Sequence, residues 1–171
     1  VREALTRLQH EGLVQSLANR GVFVRKLAAE DVLEILQMRE VAEGLAARLF
    51  TENSSDEDVK ALRRVFEPFT PDNIEENIEE YNEANVSFHD LIIQGARNSR
   101  LSSALDNLYD HFAMAKTLRI IPVTRRGKRS LEEHFRILDA IERRDSRAAE
   151  EQMREHIRLL ATDVIEHLSE L

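Results

Sequence analysis

SLEEHFRILDAIERRDSRAAEEQMREHI, residues 130–157, holds two helix-forming runs with a turn between them. Ser130 can cap a helix reaching Arg143, because a hydroxyl there accepts from an orphan backbone N–H. After Arg144, Asp145 and Ser146 a second helix is expected from Arg147 towards Leu171. His134 and His156 lie 22 residues apart with their midpoint at position 145, inside that turn. Residues equidistant from the turn of an antiparallel hairpin sit level with one another, here about 15 Å from it at a rise of about 1.5 Å per residue. Two imidazoles in register, both facing inward, can share a metal ion.

Upstream, apolar residues recur at helical spacing in four more segments. Ala29 to Phe50 carries Val32, Ile35, Ala42, Ala46 and Leu49 along one face; Ser54 or Ser55 can cap the next helix, Asp56 to Phe66. Pro68 and Pro71 bracket a break, a third helix is expected over Asp72 to Ala96, and a fourth over Arg100 to Leu118, before Pro122 and a basic loop from Arg125 to Arg129. Six helices on short loops imply an antiparallel bundle and an all-α fold. Composition agrees: five glycines, three prolines and no tryptophan stand beside many Leu, Ala, Glu and Arg. With 171 residues, 42% of them hydrophobic, the chain can bury one main core. No apolar run reaches the roughly 20 residues of a membrane span, no signal peptide is read at the start, and a cytoplasmic protein is expected.

The third helix adds to the histidine pair. Asn85 and His89 are four residues apart, so both project from one face about one turn apart. With His134 and His156 they make three nitrogens and one oxygen, a set suited to Zn²⁺, Ni²⁺ or another first-row divalent ion. A histidine alone at such a position is more often a hydrogen-bonded core or boundary residue; the shared level of two of them brings the metal role to about even. His10, His111 and His167 lack such a relation and read as ordinary surface or boundary residues. The absence of cysteine removes thiolate sites, thiol nucleophiles and disulfides. No histidine follows a Glu at the third position back, and there is no His-Glu-x-x-His, so neither a di-iron bundle nor a zincin protease fits. A non-enzyme is expected. The alternatives are a metal-dependent hydrolase, with Glu133 as base, and a pure metal sensor. Arg39 falls in the apolar stripe of the first long helix, where its planar donors could bind an effector carboxylate or pair with Glu43 one turn on.

The first 26 residues differ in charge from the rest: Arg2, Arg7, Arg20, Arg25 and Lys26 against Glu3 and Glu11 give +3, leaving −11 for the remainder. Val1, Ala4, Leu5 and Leu8 follow a helical rhythm from the first residue, as if the chain begins inside an element. Gly12 can stop that helix, and Val14–Leu17 and Val22–Val24 read as strands around the turn Ala18, Asn19, Arg20 and Gly21. A helix followed by a hairpin is how a winged helix-turn-helix ends. Residues 1–26 are therefore expected to be the end of a DNA-binding unit, and 27–171 a helical effector- and metal-binding domain.

These residues resemble a known family. Val-Arg-Glu-Ala-Leu at 1–5, Glu-Gly-Leu-Val at 11–14 and Asn-Arg-Gly-Val-Phe-Val at 19–24 look like the recognition helix and wing of GntR-type regulators. The body is similar to the FCD effector domain of their FadR subfamily, with Arg39, Glu43 and Gly44-Leu-Ala-Ala-Arg-Leu, then Phe88-His89, Asn98, Glu133-His134, Ile137-Leu138, Ala140-Ile141 and His156. The resemblance implies a homodimeric repressor or activator whose helical domain binds a small organic acid, often next to a metal, and so changes its grip on a DNA operator. In the family pattern an Asp precedes the first histidine ligand by four residues; Asn85 stands there, which leaves open a site that holds ligand without metal. Arg2, and less so Thr6, would read DNA from the recognition helix, and Asn19, Arg20 and Gly21 from the wing tip. With the bracing helices of such a unit missing, residues 1–26 alone are expected to bind DNA weakly.

Overall fold

The computed structural model describes residues 1–17, 20–25, 27–117 and 126–169. Helix α1 (Arg2–His10) leads into a hairpin of β1 (Val14–Leu17) and β2 (Gly21–Val24); α2 (Ala29–Asn53), α3 (Asp56–Arg64), α4 (Ile78–Gly95), α5 (Ser99–Thr117), α6 (Gly127–Glu142) and α7 (Ser146–Ser169) follow. The strands pair antiparallel with Val14 opposite Val24 and Leu17 opposite Gly21. Gly12, at φ +78°, ends α1 in a Schellman turn: its own N–H reaches Gln9 and that of Leu13 reaches back to Leu8. Gly21, expected in the turn, opens β2 instead at φ +100°. Ala18, Asn19, Pro122 and Arg125 lie outside the described residues.

The six longer-range helices form the expected bundle, with α2 packed along α7 and flanked by α4 and α5. Phe50, Phe66, Phe88, Ile92 and Ile137 are among the buried side chains of the main core. A smaller apolar cluster joins Val32 and Leu36 of α2 to Phe112 of α5 and to Ile157 and Val164 of α7. The turn between α6 and α7 is held by Arg144, which adopts φ +55°. That left-handed conformation costs a non-glycine residue free energy. Its guanidinium offsets the cost by donating to the carbonyls of Thr51 and Ser54 at the end of α2 and to Asp56. Ser55 caps α3, accepting from the backbone of Asp58, whose carboxylate returns a bond to the Ser55 backbone.

Two expected helix starts are corrected. The third bundle helix begins at Ile78 rather than Asp72, and residues 71–77 are turns. Asparagine side chains compete with the helix there: Asn73 accepts from Thr70 N–H and donates to the Pro68 carbonyl, and Asn77 donates to the carbonyl of Asn73. The fifth begins at Gly127, so Ser130 lies inside its first turn and caps nothing. Arg126 is the residue before it, and most of the supposed basic loop is helix. Among the described residues no helix is long and apolar enough to cross a membrane.

Gly95, the last residue of α4, lies flat against the buried ring of Phe50. Replacing Gly95 by Ala should lower stability by about 1–3 kcal/mol through overpacking, despite the better helix propensity of alanine. Urea denaturation checks this; an unchanged or raised midpoint would contradict the packing.

Candidate metal centre

Three helices each deliver one imidazole to the interior: His89 from α4, His134 from α6 and His156 from α7. All three are buried, and one ring nitrogen from each lies within 4.8 Å of the others. The antiparallel turn at 143–146 sets His134 and His156 level, with ring centroids 4.5 Å apart. Phe66 stacks on His134 at 4.7 Å and Phe88 lies 4.8 Å from the same ring, closing the apolar side.

What aims the rings is a set of partners on their outer edges. His89 Nδ1 is 2.6 Å from a carboxylate oxygen of Glu43, and His156 Nδ1 is 2.7 Å from one of Glu133. A carboxylate accepts, so each Nδ1 carries a proton, and in the neutral form of such a ring the lone pair is on Nε2. His134 Nδ1 is 3.0 Å from the Tyr81 hydroxyl, whose oxygen also accepts from Ser130. The Nε2 atoms of His89 and His134 meet at 3.4 Å. Two nitrogens bound tetrahedrally to one ion at about 2.0–2.1 Å would sit about 3.3 Å apart, so the spacing suits a shared divalent ion.

Electrostatics point the same way. Burial, and then the neighbouring imidazoles and Arg126, hold His134 and His156 well below the usual histidine range, so both are neutral at pH 7 with nitrogens free to ligate. Burial alone would protonate Glu43, but Arg39 and His89 outweigh it and hold the carboxyl well below the usual range. Glu133 shifts the other way: burial raises it despite Arg126 and Arg129. Arg126 bridges Glu133, at 2.7 Å, and Asp163. Glu133 immediately precedes His134 in the sequence but its carboxylate accepts from His156, an arrangement that suits a positioning carboxylate.

Of the residues singled out in the sequence, the three histidines come together as expected. Asn85 lies one helical turn before His89 and is half-buried. Arg39 is buried and forms the internal pair: its Nε donates to Glu43 at 2.6 Å and its Nη2 to the Tyr109 hydroxyl at 3.4 Å. Its guanidinium lies over the rings of Phe112 and Tyr109, and Nη1 has no protein partner. Arg2, Thr6, Arg20 and Gly21 are exposed, with the Thr6 hydroxyl turned back to the carbonyl of Arg2; Asn19 lies outside the described residues. Tyr81 and Arg126 carry no signal in sequence, since each acts through a contact across helices.

Residues 34–159 match the FCD domain. The chain belongs to the FCD-domain family. It is a transcription regulator of the GntR/FCD type. The FCD chain is 29% identical over 162 residues to the HTH-type transcriptional regulator YdhC of Bacillus subtilis, covering 91% of this chain and 70% of that protein. It is 30% identical over 161 residues to a protein of Paenarthrobacter nicotinovorans named "Probable D-xylose utilization operon transcriptional repressor", covering 92% and 68%. In fold it is similar to Escherichia coli McbR/YncC, at TM-score 0.81 and 19% identity over 98% of this chain and 84% of that one. It also resembles the metal-free FCD domain of TM0439, at TM-score 0.67 and 17% identity over 86% and 100%.

Arg39→Met should cost about 3–5 kcal/mol, because it leaves the Glu43 carboxylate buried without its cation. Glu43→Gln in the same background should recover part of that loss in urea denaturation. A loss below 1 kcal/mol for Arg39→Met would mean the pair is not buried as described.

Proposed function

We propose that this FCD-type regulator senses a small organic acid at a divalent metal and changes its grip on DNA accordingly. The observation that carries the reading is the convergence of three buried imidazoles, each aimed from its outer edge by Glu43, Tyr81 or Glu133. Metal-binding histidines ordinarily donate their second ring N–H to such partners. The Nε2 atoms of His89, His134 and His156 would hold the ion, with Asn85 as a neutral oxygen ligand, and Zn²⁺ or Ni²⁺ suits that set. The ion supplies a positive centre that anchors an anionic ligand.

The chain's own residues do the rest. With Asn85 in place of a carboxylate, the protein contributes no negative charge to the first ligands, which favours an anionic effector over water. Arg39 offers its unpartnered Nη1 as a further donor to a small carboxylate. Residues 1–26 act as the end of a winged helix-turn-helix, with Arg2 and Thr6 on the recognition helix and Asn19, Arg20 and Gly21 at the wing tip. Residues 27–171 are the sensing domain of a homodimer. Ligand binding must favour one arrangement of that dimer by about 1–3 kcal/mol to act as a signal.

The test is elemental analysis of the chain after loading with zinc or nickel and dialysis. About one ion per chain is expected, lost in His134→Ala and in His156→Ala, and held about 10–100-fold more weakly in Glu133→Ala. A parent chain that keeps no stoichiometric ion ends the metal reading. Undiminished metal in both histidine variants ends the ligand assignment. Calorimetry of the loaded chain with a panel of carboxylates then reads the effector: saturable binding without turnover is expected, and product formation would make the site a hydrolase.

A further inference from the structure

Between the histidine centre and α1 the described residues form a continuous line of contacts, and most of it runs through one helix. His89 is held by Glu43 at 2.6 Å, and Glu43 by Arg39 at 2.6 Å, one turn earlier on α2. The Arg39 guanidinium lies 4.6 Å from the Tyr109 ring and 4.1 Å from the Phe112 ring, three residues apart on one face of α5. His111 stands between them in sequence and so points about 100° away from Phe112 around the helix. Its Nε2 donates to the carbonyl of Glu11, at 2.8 Å, and its ring lies against Gly12. Glu11 is the residue that ends α1, and Gly12 makes the left-handed turn out of it. The charge of Arg7 on α1 is favoured first by Glu11 and, to a lesser extent, by Asp110 beside His111 on α5.

The rest of the junction is thin. Among the described residues, none of α1 is buried, β1 and β2 are largely exposed, and besides His111 and Asp110 the head meets the body at the Arg25–Asp31 pair and at Leu27 against the smaller core. That smaller core contains Phe112 itself. One face of α5 therefore rests on Arg39, the partner of the carboxylate that orients a candidate metal ligand, while the adjoining face clamps the end of α1.

We propose that α5 transmits occupancy of the histidine centre to α1, and that His111 is the positioning residue at the head end of that route. The input rests on the metal reading above. Metal at His89 fixes the Glu43–Arg39 pair and with it the rotation of α5, which sets where the Glu11 carbonyl is held.

Amide hydrogen exchange on the full chain, with and without zinc, tests this beside calorimetric zinc titration of the same proteins. In His111→Ala, exchange at Gly12 and Leu13 should quicken about three- to tenfold without metal, the worth of one net hydrogen bond. Its zinc affinity should match the parent. Zinc should slow exchange at these amides in the parent and in His111→Gln, whose amide can still donate to Glu11, and leave them unchanged in His111→Ala. Equal exchange in parent and His111→Ala without metal would overturn the clamp. A zinc effect on α1 that survives in His111→Ala would overturn the route. If the parent takes up no zinc, the metal input and the transmitted signal fall together, while the metal-free comparison still decides whether His111 clamps α1.

Discussion

A carboxylate with 1% of its surface exposed, Glu43, sits between a guanidinium and an imidazole in the middle of an apolar bundle. Such a group is expensive to place there. Removing two charges from water costs several kcal/mol each, and well-packed hydrophobic residues of the same volume would often be as stable or more so. The Arg39–Glu43–His89 chain is therefore poorly explained as a stability device. It does fix direction: two hydrogen bonds to one carboxylate leave His89 a single ring orientation with its Nε2 facing His134. Three helices, α2, α4 and α5, are pinned to one another by the side chains that meet there.

Glu133 repeats the device from the other side with different electrostatics. It too accepts from an imidazole Nδ1 and a guanidinium, yet burial raises it where Glu43 is lowered. The difference follows from the partners: Arg39 and His89 together outweigh burial at Glu43, whereas at Glu133 burial outweighs Arg126, which also pairs with Asp163, and Arg129. The half of the centre held by Glu43 is thus a fixed charge pair. The half held by Glu133 is part of a shared network at the start of α6.

Much of this was legible in the sequence because helices impose arithmetic. The midpoint of His134 and His156 fell in a turn, and an antiparallel hairpin then made them neighbours. Arg39 and Glu43 were one turn apart, and a buried pair followed. What sequence could not supply was any relation across helices without a shared turn. Glu133 adjoins His134, but consecutive helical residues diverge by about 100°, so it faces His156 instead. Tyr81 reaches His134 from a helix 53 positions away, and nothing in its own segment indicates that. The misplaced helix starts have a local cause: Ile74 keeps helical spacing with Ile78 and Tyr81, yet Asn73 and Asn77 give the backbone competing partners. Ser130 has the right chemistry for a cap, but Gly127 packs against Ile74 and Ile78 and the helix begins there.

The contrast between the centre and the head has a mechanical meaning. Around the histidines every ring is bounded by packed side chains, and a shift there must move whole helices, since a close-packed interior does not absorb displacement locally. Around α1 there are few contacts and no buried residue, so small changes in what holds it alter its position at little cost. A signal generated by binding needs both properties, a stiff site that turns ligand contacts into helix motion and a loosely held element that responds. The fold puts these at opposite ends of side-chain contacts less than one turn apart on α5. Any ligand with different affinity for two settings of that helix would bias α1 between them, and one without such a difference would leave it alone however tightly it bound.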